Sequence, residues 1–115
     1  MKPIALSAAV LIAGAIACGS SVPPPNDAWA AAQADVGRAQ AGGAPQNPDA
    51  QLHLQLAQED LQRAKQLIGS DNERATTLTE LARAEAQLAL RLAKSSAAQD
   101  SANRAATALQ NAQSK

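Results

Sequence analysis

Alanine dominates this chain: 30 of its 115 residues are alanine, and Trp29 is the only aromatic residue. Large side chains are needed to fill a wide core at the packing density of folded proteins. A chain so poor in them cannot build a wide globular core, but it can bury a narrow seam between closely packed helices. The composition therefore predicts an all-α fold with close helix–helix contacts.

The N-terminal segment has the layout of a secretory signal peptide. Lys2 precedes an apolar run that extends to Ala17, and small residues follow it. The run is too short for a membrane span, which needs roughly 20 apolar residues. Ala15 and Ala17 also give the A-x-A spacing of an ordinary cleavage site. We predict that residues 1–17 are removed on export.

The single cysteine of the chain, Cys18, stands where the apolar run ends. The segment resembles a bacterial lipobox, in which the cysteine is lipidated and becomes the mature N-terminus, although Ala15 stands where leucine is usual. The resemblance implies an anchor of several acyl chains, which holds a protein firmly to a membrane. By similarity to lipoprotein sorting, Gly19 implies the outer membrane, with the protein facing the periplasm. The alternative is an ordinary export signal that leaves a spare thiol.

After cleavage the chain carries nine Lys and Arg against ten Asp and Glu. This near-neutral balance argues against nucleic acid as a partner, because such proteins show basic patches. Residues 18–25, with their triple proline, predict a disordered, lipid-anchored tether of extended polyproline character. Residues 26–115 then form one alanine-rich helical domain.

A first, weaker helix is predicted from Asn26 or Asp27, either of which is a suitable N-cap. Gly37 in its interior costs about 1 kcal/mol relative to alanine. The segment Gly42–Pro45 ends it. Its apolar stripe consists of Trp29, Ala32, Val36 and Ala39. We expect the tryptophan to pack within its own domain; the alternative is an exposed anchor for a binding partner.

A second helix is predicted to begin after Asn47, as its N-cap, with Pro48 at the first position, and to end at Gly69. Its apolar positions alternate in spacings of four and three residues. Leucines that alternate with alanines suit a close antiparallel partner, because small residues let the backbones approach. The predicted seam is Ala50, Leu54, Ala57, Leu61, Ala64 and Ile68.

The third helix is predicted to open with a capping box from Ser70 to Glu73 and to run from Asp71 to about Asn111. With the second helix it forms a long, coiled-coil-like antiparallel hairpin over about residues 48–94. The tail, residues 95–115, has no obvious partner there, so it folds back, pairs with another chain or frays. The predicted apolar register, interrupted by Arg91 and Ser95, is Leu81, Ala84, Leu88, Ala98, Ala102, Ala105, Leu109 and Ala112.

The stretch from Leu52 to Ala98 resembles the bacterial domain-of-unknown-function family 4398 (DUF4398). The resemblance rests on the theme L-x-x-A-x-x-x-L-x-x-A, on the acidic turn at residues 70–75 and on alanine-rich heptads in the return helix. It implies a helical hairpin, commonly in an exported lipoprotein, and it brings no catalytic or ligand residues. The matching positions are Leu54, Ala57, Leu61 and Ala64, then Leu81, Ala82, Ala86, Leu90 and Ala93.

Residues that could carry chemistry are few. His53 is the only histidine, and a metal site needs several convergent ligands. Glu59 and Asp60 are adjacent, so on a helix they diverge by about 100° rather than acting as an acid–base pair. We expect all three side chains on a solvated helix face. The sequence shows neither a nucleophile elbow nor a phosphate-binding glycine loop. It therefore predicts no enzyme, no metal site and no cofactor.

These features predict a non-catalytic cell-envelope lipoprotein that acts as a scaffold or accessory subunit. Its expected partners are the membrane, through Cys18, and either an envelope protein or a second copy of the chain, through its helices. One alternative is a periplasmic carrier of an apolar ligand. Another is attachment of Lys115 to peptidoglycan, because a lipidated, alanine-rich helical chain that ends in lysine is similar in plan to the murein lipoprotein.

Overall fold

The computed structural model describes residues 21–115, and the predicted signal peptide and Cys18 lie outside this range. The described chain is all-α. It consists of α1 (Asn26–Ala41), α2 (Pro48–Leu67) and α3 (Asn72–Gln113), with a short 3-10 turn at Ala44–Gln46 and no strand within residues 21–115. The predicted helical hairpin is therefore confirmed as α2 and α3, preceded by the shorter α1.

The bounds of α2 follow from local signals that the sequence carries. The side-chain oxygen of Asn47 accepts a hydrogen bond from the backbone N–H of Ala50 at 2.9 Å, which confirms the predicted N-cap. Pro48 is the first helical residue, where its missing N–H costs nothing. Gly43 and Gly69 have φ angles of 96° and 90°, in the left-handed region that glycine adopts without strain. The two chain reversals are therefore located where predicted.

The predicted N-cap of α1 is wrong. Asn26 is already helical, the preceding Pro25 takes the N-cap position, and no side chain caps the helix. The carbonyl of Pro25 accepts a hydrogen bond from the backbone N–H of Trp29 at 2.8 Å. Proline fixes the chain close to helical φ values, so the N-cap lies one residue before Asn26 and the helix already includes both predicted capping residues.

The capping box predicted from Ser70 to Glu73 is also wrong. Asp71 is the N-cap of α3, and its carboxylate accepts a hydrogen bond from the backbone N–H of Arg74 at 3.1 Å. The hydroxyl of Ser70 instead donates to the carbonyl of Leu67 at 3.1 Å. The same carbonyl accepts the backbone N–H groups of Ser70 and Asp71, at 3.0 and 2.8 Å. Ser70 therefore belongs to the turn that closes the end of α2, and the cap passes to the next residue.

Helix directions follow from contacts between residues far apart in the chain. The indole N–H of Trp29, near the start of α1, donates to the carbonyl of Leu61 in the second half of α2 at 3.0 Å. Asp35 of α1 pairs with Arg83 of α3 at 3.1 Å. The helix α1 is therefore antiparallel to α2 and parallel to α3.

The chain enters the bundle at the α2–α3 turn. The side-chain amide of Asn72, the first residue of α3, donates to the backbone carbonyl of Val22 at 2.9 Å. Since α3 runs away from this turn, its C-terminal half leaves the bundle at the opposite end.

The predicted seam of α2 is confirmed: Ala50, Leu54, Ala57, Leu61 and Ala64 are buried. Ile68 lies just after the helix end and is half-buried.

The predicted apolar register of α3 is wrong. Leu81 and Leu88 are 46% and 39% exposed, although the register placed them on the apolar face. Backbones pack closely only where both helices present small side chains, so alanines rather than leucines occupy the contact. The seven-residue repeats of Ala50, Ala57 and Ala64 on α2 and of Ala75, Ala82 and Ala89 on α3 are all fully buried. The buried face of α3 is Ala75, Thr79, Ala82, Ala86, Ala89 and Ala93.

The tail of α3, residues 95–115, does not fold back. The helix continues to Gln113, and Ser96 is the last residue that is even partly buried. The 17 helical residues after Ser96, residues 97–113, correspond to about 25 Å. The tail therefore projects from the bundle as a bare helix.

Candidate interaction surfaces

The sequence analysis expected His53, Glu59 and Asp60 on a solvated helix face. Two of these residues lie against α3 instead. His53 Nδ1 is 2.5 Å from Glu85 Oε2, and both side chains are half-buried. Asp60 is buried. His53 and Asp60 are seven residues apart, so they share the edge of the α2 seam that α3 covers. Only Glu59 is exposed as predicted, beside Arg63 at 3.4 Å.

Burial raises the pKa of the Asp60 carboxyl above its ordinary value of 3.8. The guanidinium of Arg63, 3.6 Å away, lowers this pKa, while the negative charges of Glu85 and Glu59 add smaller upward effects. Desolvation is the largest of these causes. Within residues 21–115, no group of three or more His, Cys, Asp and Glu side chains is arranged to hold a metal ion.

A polar cluster that the sequence analysis missed joins α1 to α3. The buried carboxylate of Asp35 accepts hydrogen bonds from Arg83 Nε at 3.1 Å and from Gln87 Nε2 at 3.3 Å, and it also pairs with Arg38. The signal was present, because position 35 is three residues after Ala32 and four before Ala39, which places the carboxylate within the apolar stripe. The cluster fixes the alignment of the two helices.

Trp29 packs within its own domain, as expected. Its ring is half-buried against the core, and Lys65 Nζ lies 5.6 Å from the ring centroid, a cation–π distance. Beside it, a groove of about 460 Å³ follows the α1–α2 boundary. Three glutamines and a lysine edge an apolar floor there: Trp29, Gln33, Val36, Gln58, Leu61, Gln62 and Lys65.

The predicted register of α3 is an exposed surface, which we call the outer stripe. Its members alternate in spacings of three and four residues from Leu81 to Ala112. At 100° per residue, its centre lies about 150° from the buried face. All of its members are exposed: Leu81, Ala84, Leu88, Arg91, Ser95, Ala98, Ala102, Ala105, Leu109 and Ala112.

The antiparallel hairpin of α2 and α3, with α1 parallel to α3, defines a small all-α bundle protein. The sequence profile of the family described as Domain of unknown function (DUF4398) matches residues 27–105. The chain belongs to this family. The match extends beyond the hairpin, since it includes nearly all of α1 and the first part of the tail.

Neither the curated proteins nor the solved structures gave a significant match. Within residues 21–115, no helix is both long enough and apolar enough to cross a membrane.

Proposed function

We propose that this protein is a non-catalytic lipoprotein of the cell envelope, anchored through Cys18, that acts as a scaffold or accessory subunit. The observation that carries this proposal is the exposed tail of α3, which extends about 25 Å beyond the bundle. A bare helix with a regular apolar stripe is a recognition element rather than part of a reaction site.

The geometry of the chain entry supports this role. The hydrogen bond from Asn72 to Val22 holds the start of the described chain at the α2–α3 turn. A lipid on Cys18, four residues earlier, would therefore lie at this end of the bundle. The 42 residues of α3 span about 63 Å, so the tail would be presented at the opposite end of the molecule from the anchor.

The packing of the bundle favours a scaffold over a carrier of an apolar ligand. The seam consists largely of fully buried alanines, which bring the helices close together. The buried polar groups are paired within the bundle: Asp35 joins α1 to α3, and the Thr79 hydroxyl donates to the Ala75 carbonyl within α3 at 2.7 Å. Ligand pockets are lined by large apolar and aromatic side chains, which the alanine contacts of this seam do not provide.

The anchor is tested by Cys18→Ser. In cells fed an alkyne fatty acid, the unchanged chain should be labelled and should sediment with the outer membrane, because several acyl chains hold it there. The variant should lose the label and leave the membrane fraction. Equal labelling of both chains would refute the lipoprotein part of the proposal.

The recognition role is tested by photo-crosslinking in intact cells. A photo-reactive residue at Ala105, on the tail, should give specific protein adducts, whereas one at the equally exposed Gln51 of α2 should not. The mass of the adduct distinguishes a foreign envelope protein from a second copy of this chain. Identical patterns from both sites, or no adduct from Ala105, would contradict the proposed role.

A further inference from the structure

We infer that the outer stripe binds the outer stripe of a second copy of this chain, in an antiparallel arrangement about a two-fold axis. The inference deepens the proposed function by naming the partner, and it rests on that function only for its cellular setting. A two-fold interface uses the same patch on both copies, so the patch must be complementary to itself.

The order of large and small residues along the stripe provides this complementarity. The two-fold axis is placed at the level of Ala93. Each residue before Ala93 in one copy then faces the residue of the second copy that lies the same number of positions after Ala93. Leu81 then faces Ala105, and Leu88 faces Ala98. The large side chains of one half meet small side chains of the other, as interdigitated packing requires. At the remaining levels, Ala84 faces Ala102, while Leu109 and Ala112 face Thr77 and Arg74, which precede the outer stripe on α3.

A parallel pairing of the same stripe is unfavourable. It would place Arg91 against Arg91 in the centre of the contact, and like charges held close together repel. It would also set leucine against leucine at Leu81, Leu88 and Leu109 and alanine against alanine at the levels between them, so the helices could not keep one spacing. In the antiparallel arrangement, Arg91 is level with the second copy's Ser95, a neutral hydroxyl.

Dimer formation leaves the bundle of each copy intact. The outer stripe lies about 150° from the face that holds α1 and α2, so these helices remain on the outside of the pair. From Leu81 to Ala112 the stripe is about 48 Å long and about 10 Å wide. It would bury about 1,000 Å² in total, near the lower limit for a specific interface. We therefore expect a weak dimer, in which the two chain entries at the α2–α3 turns lie at opposite ends of the pair.

Disulfide trapping with the full chain in detergent tests both the contact and its direction. Chains that carry Leu88→Cys are mixed with chains that carry Ala98→Cys and are oxidised mildly. The antiparallel ladder places these positions opposite each other, so the mixed disulfide dimer should dominate. Each variant alone should give no more dimer than the unchanged chain, whose only cysteine is Cys18.

The controls make every result decisive. Leu88→Cys mixed with Asn103→Cys, which lies on another face of α3, should give only background. A dominant Leu88→Cys homodimer would overturn the antiparallel ladder in favour of a parallel one. Absence of a mixed dimer above the control would overturn the contact itself, provided that circular dichroism shows all variants to be helical.

Sedimentation equilibrium provides an independent measurement. Ala102→Glu places a charge within the stripe and should weaken dimerisation at least about tenfold. Asn103→Glu, its exposed neighbour, should leave the dissociation constant unchanged. A chain that stays monomeric up to about 1 mM would overturn the inference. Because these assays need no acylation, they can fail while the Cys18→Ser result still supports the anchor, and the reverse also holds.

Discussion

The two halves of α3 have similar composition but different surroundings. Asn72–Ala93 contains six alanines and residues 94–113 contain seven. In the first half, every third or fourth residue is buried against α1 and α2, whereas in the second half nearly every residue is exposed. The first half is held by packing. The second continues a helix that has already been nucleated, and extension costs far less than nucleation.

The comparison shows that alanine has two separate roles in this chain. In the bundle its small size permits close packing of helices, and in the tail its high helix propensity maintains a helix without a partner. Matched substitutions in the two regions should therefore differ in effect although the residue types are the same.

The largest difference is expected for leucine. Leu61 is 6% exposed in the bundle, and Leu109 is 64% exposed in the tail. Leu61→Ala should lower the free energy of unfolding by about 2–3 kcal/mol, because it removes buried methyl groups and leaves a cavity. Leu109→Ala should change it by less than about 0.5 kcal/mol. Urea denaturation of dilute protein, followed by circular dichroism, measures both; equal effects would mean that the seam is misassigned.

A smaller difference is expected for aspartate. Asp35→Ala should cost about 1–2 kcal/mol, because hydrogen bonds from Arg83 and Gln87 to a charged group are lost. Asp100→Ala, on the exposed tail, should be close to neutral. Hydrogen exchange should also show faster exchange confined to α1 in the first variant. Unchanged protection of α1 would contradict a role for Asp35 in holding the helix.

The smallest effect concerns pH. The pKa of Asp60 is raised above 3.8 in the folded chain, so the folded state takes up this proton more readily than the unfolded state. The resulting stabilisation is complete below pH 3.8 and is lost as the pH rises through the pKa that Asp60 has in the folded chain. The unfolding free energy of the unchanged chain, minus that of Asp60→Asn, should therefore increase as pH falls from 7 to below 4. As a control, the unfolding free energy of the unchanged chain, minus that of the exposed-tail variant Asp100→Asn, should not increase as pH falls. Identical pH profiles of the two differences would argue against a desolvated Asp60.

The elements of the fold were predictable because their signals are local. Asn47, Pro48 and the glycines at the two reversals act within a few residues, so the sequence places α2 well. The failures at Ser70 and Asn26 are shifts of one position, caused by a turn and by a proline that take over part of the capping.

The packed face of α3 was not predictable from hydrophobicity. The helix carries two apolar registers on nearly opposite faces, and the one with more leucines is the exposed one. The choice depends on close approach to α2, which favours small residues whatever their hydrophobicity. The family resemblance came nearer, because its positions Ala82, Ala86 and Ala93 lie on the buried face.

The polar contacts required the tertiary structure. Asp35 and Arg83 are 48 residues apart, and His53 and Glu85 are 32 apart. Nothing local indicates these pairs, since an isolated α1 or α2 would present Asp35 and His53 to water.

The alanine seam also has a genetic consequence. A single base change in an alanine codon gives glycine, serine, threonine, proline, valine, aspartate or glutamate. Only glycine is smaller, and it weakens a helix. At fully buried positions such as Ala57 and Ala82, nearly every point mutation therefore adds volume, charge or a helix break. The same base changes at exposed tail alanines outside the outer stripe, such as Ala97, Ala106 and Ala108, meet no helix of the bundle, so neutral drift in this gene should accumulate in these codons and spare those of the seam.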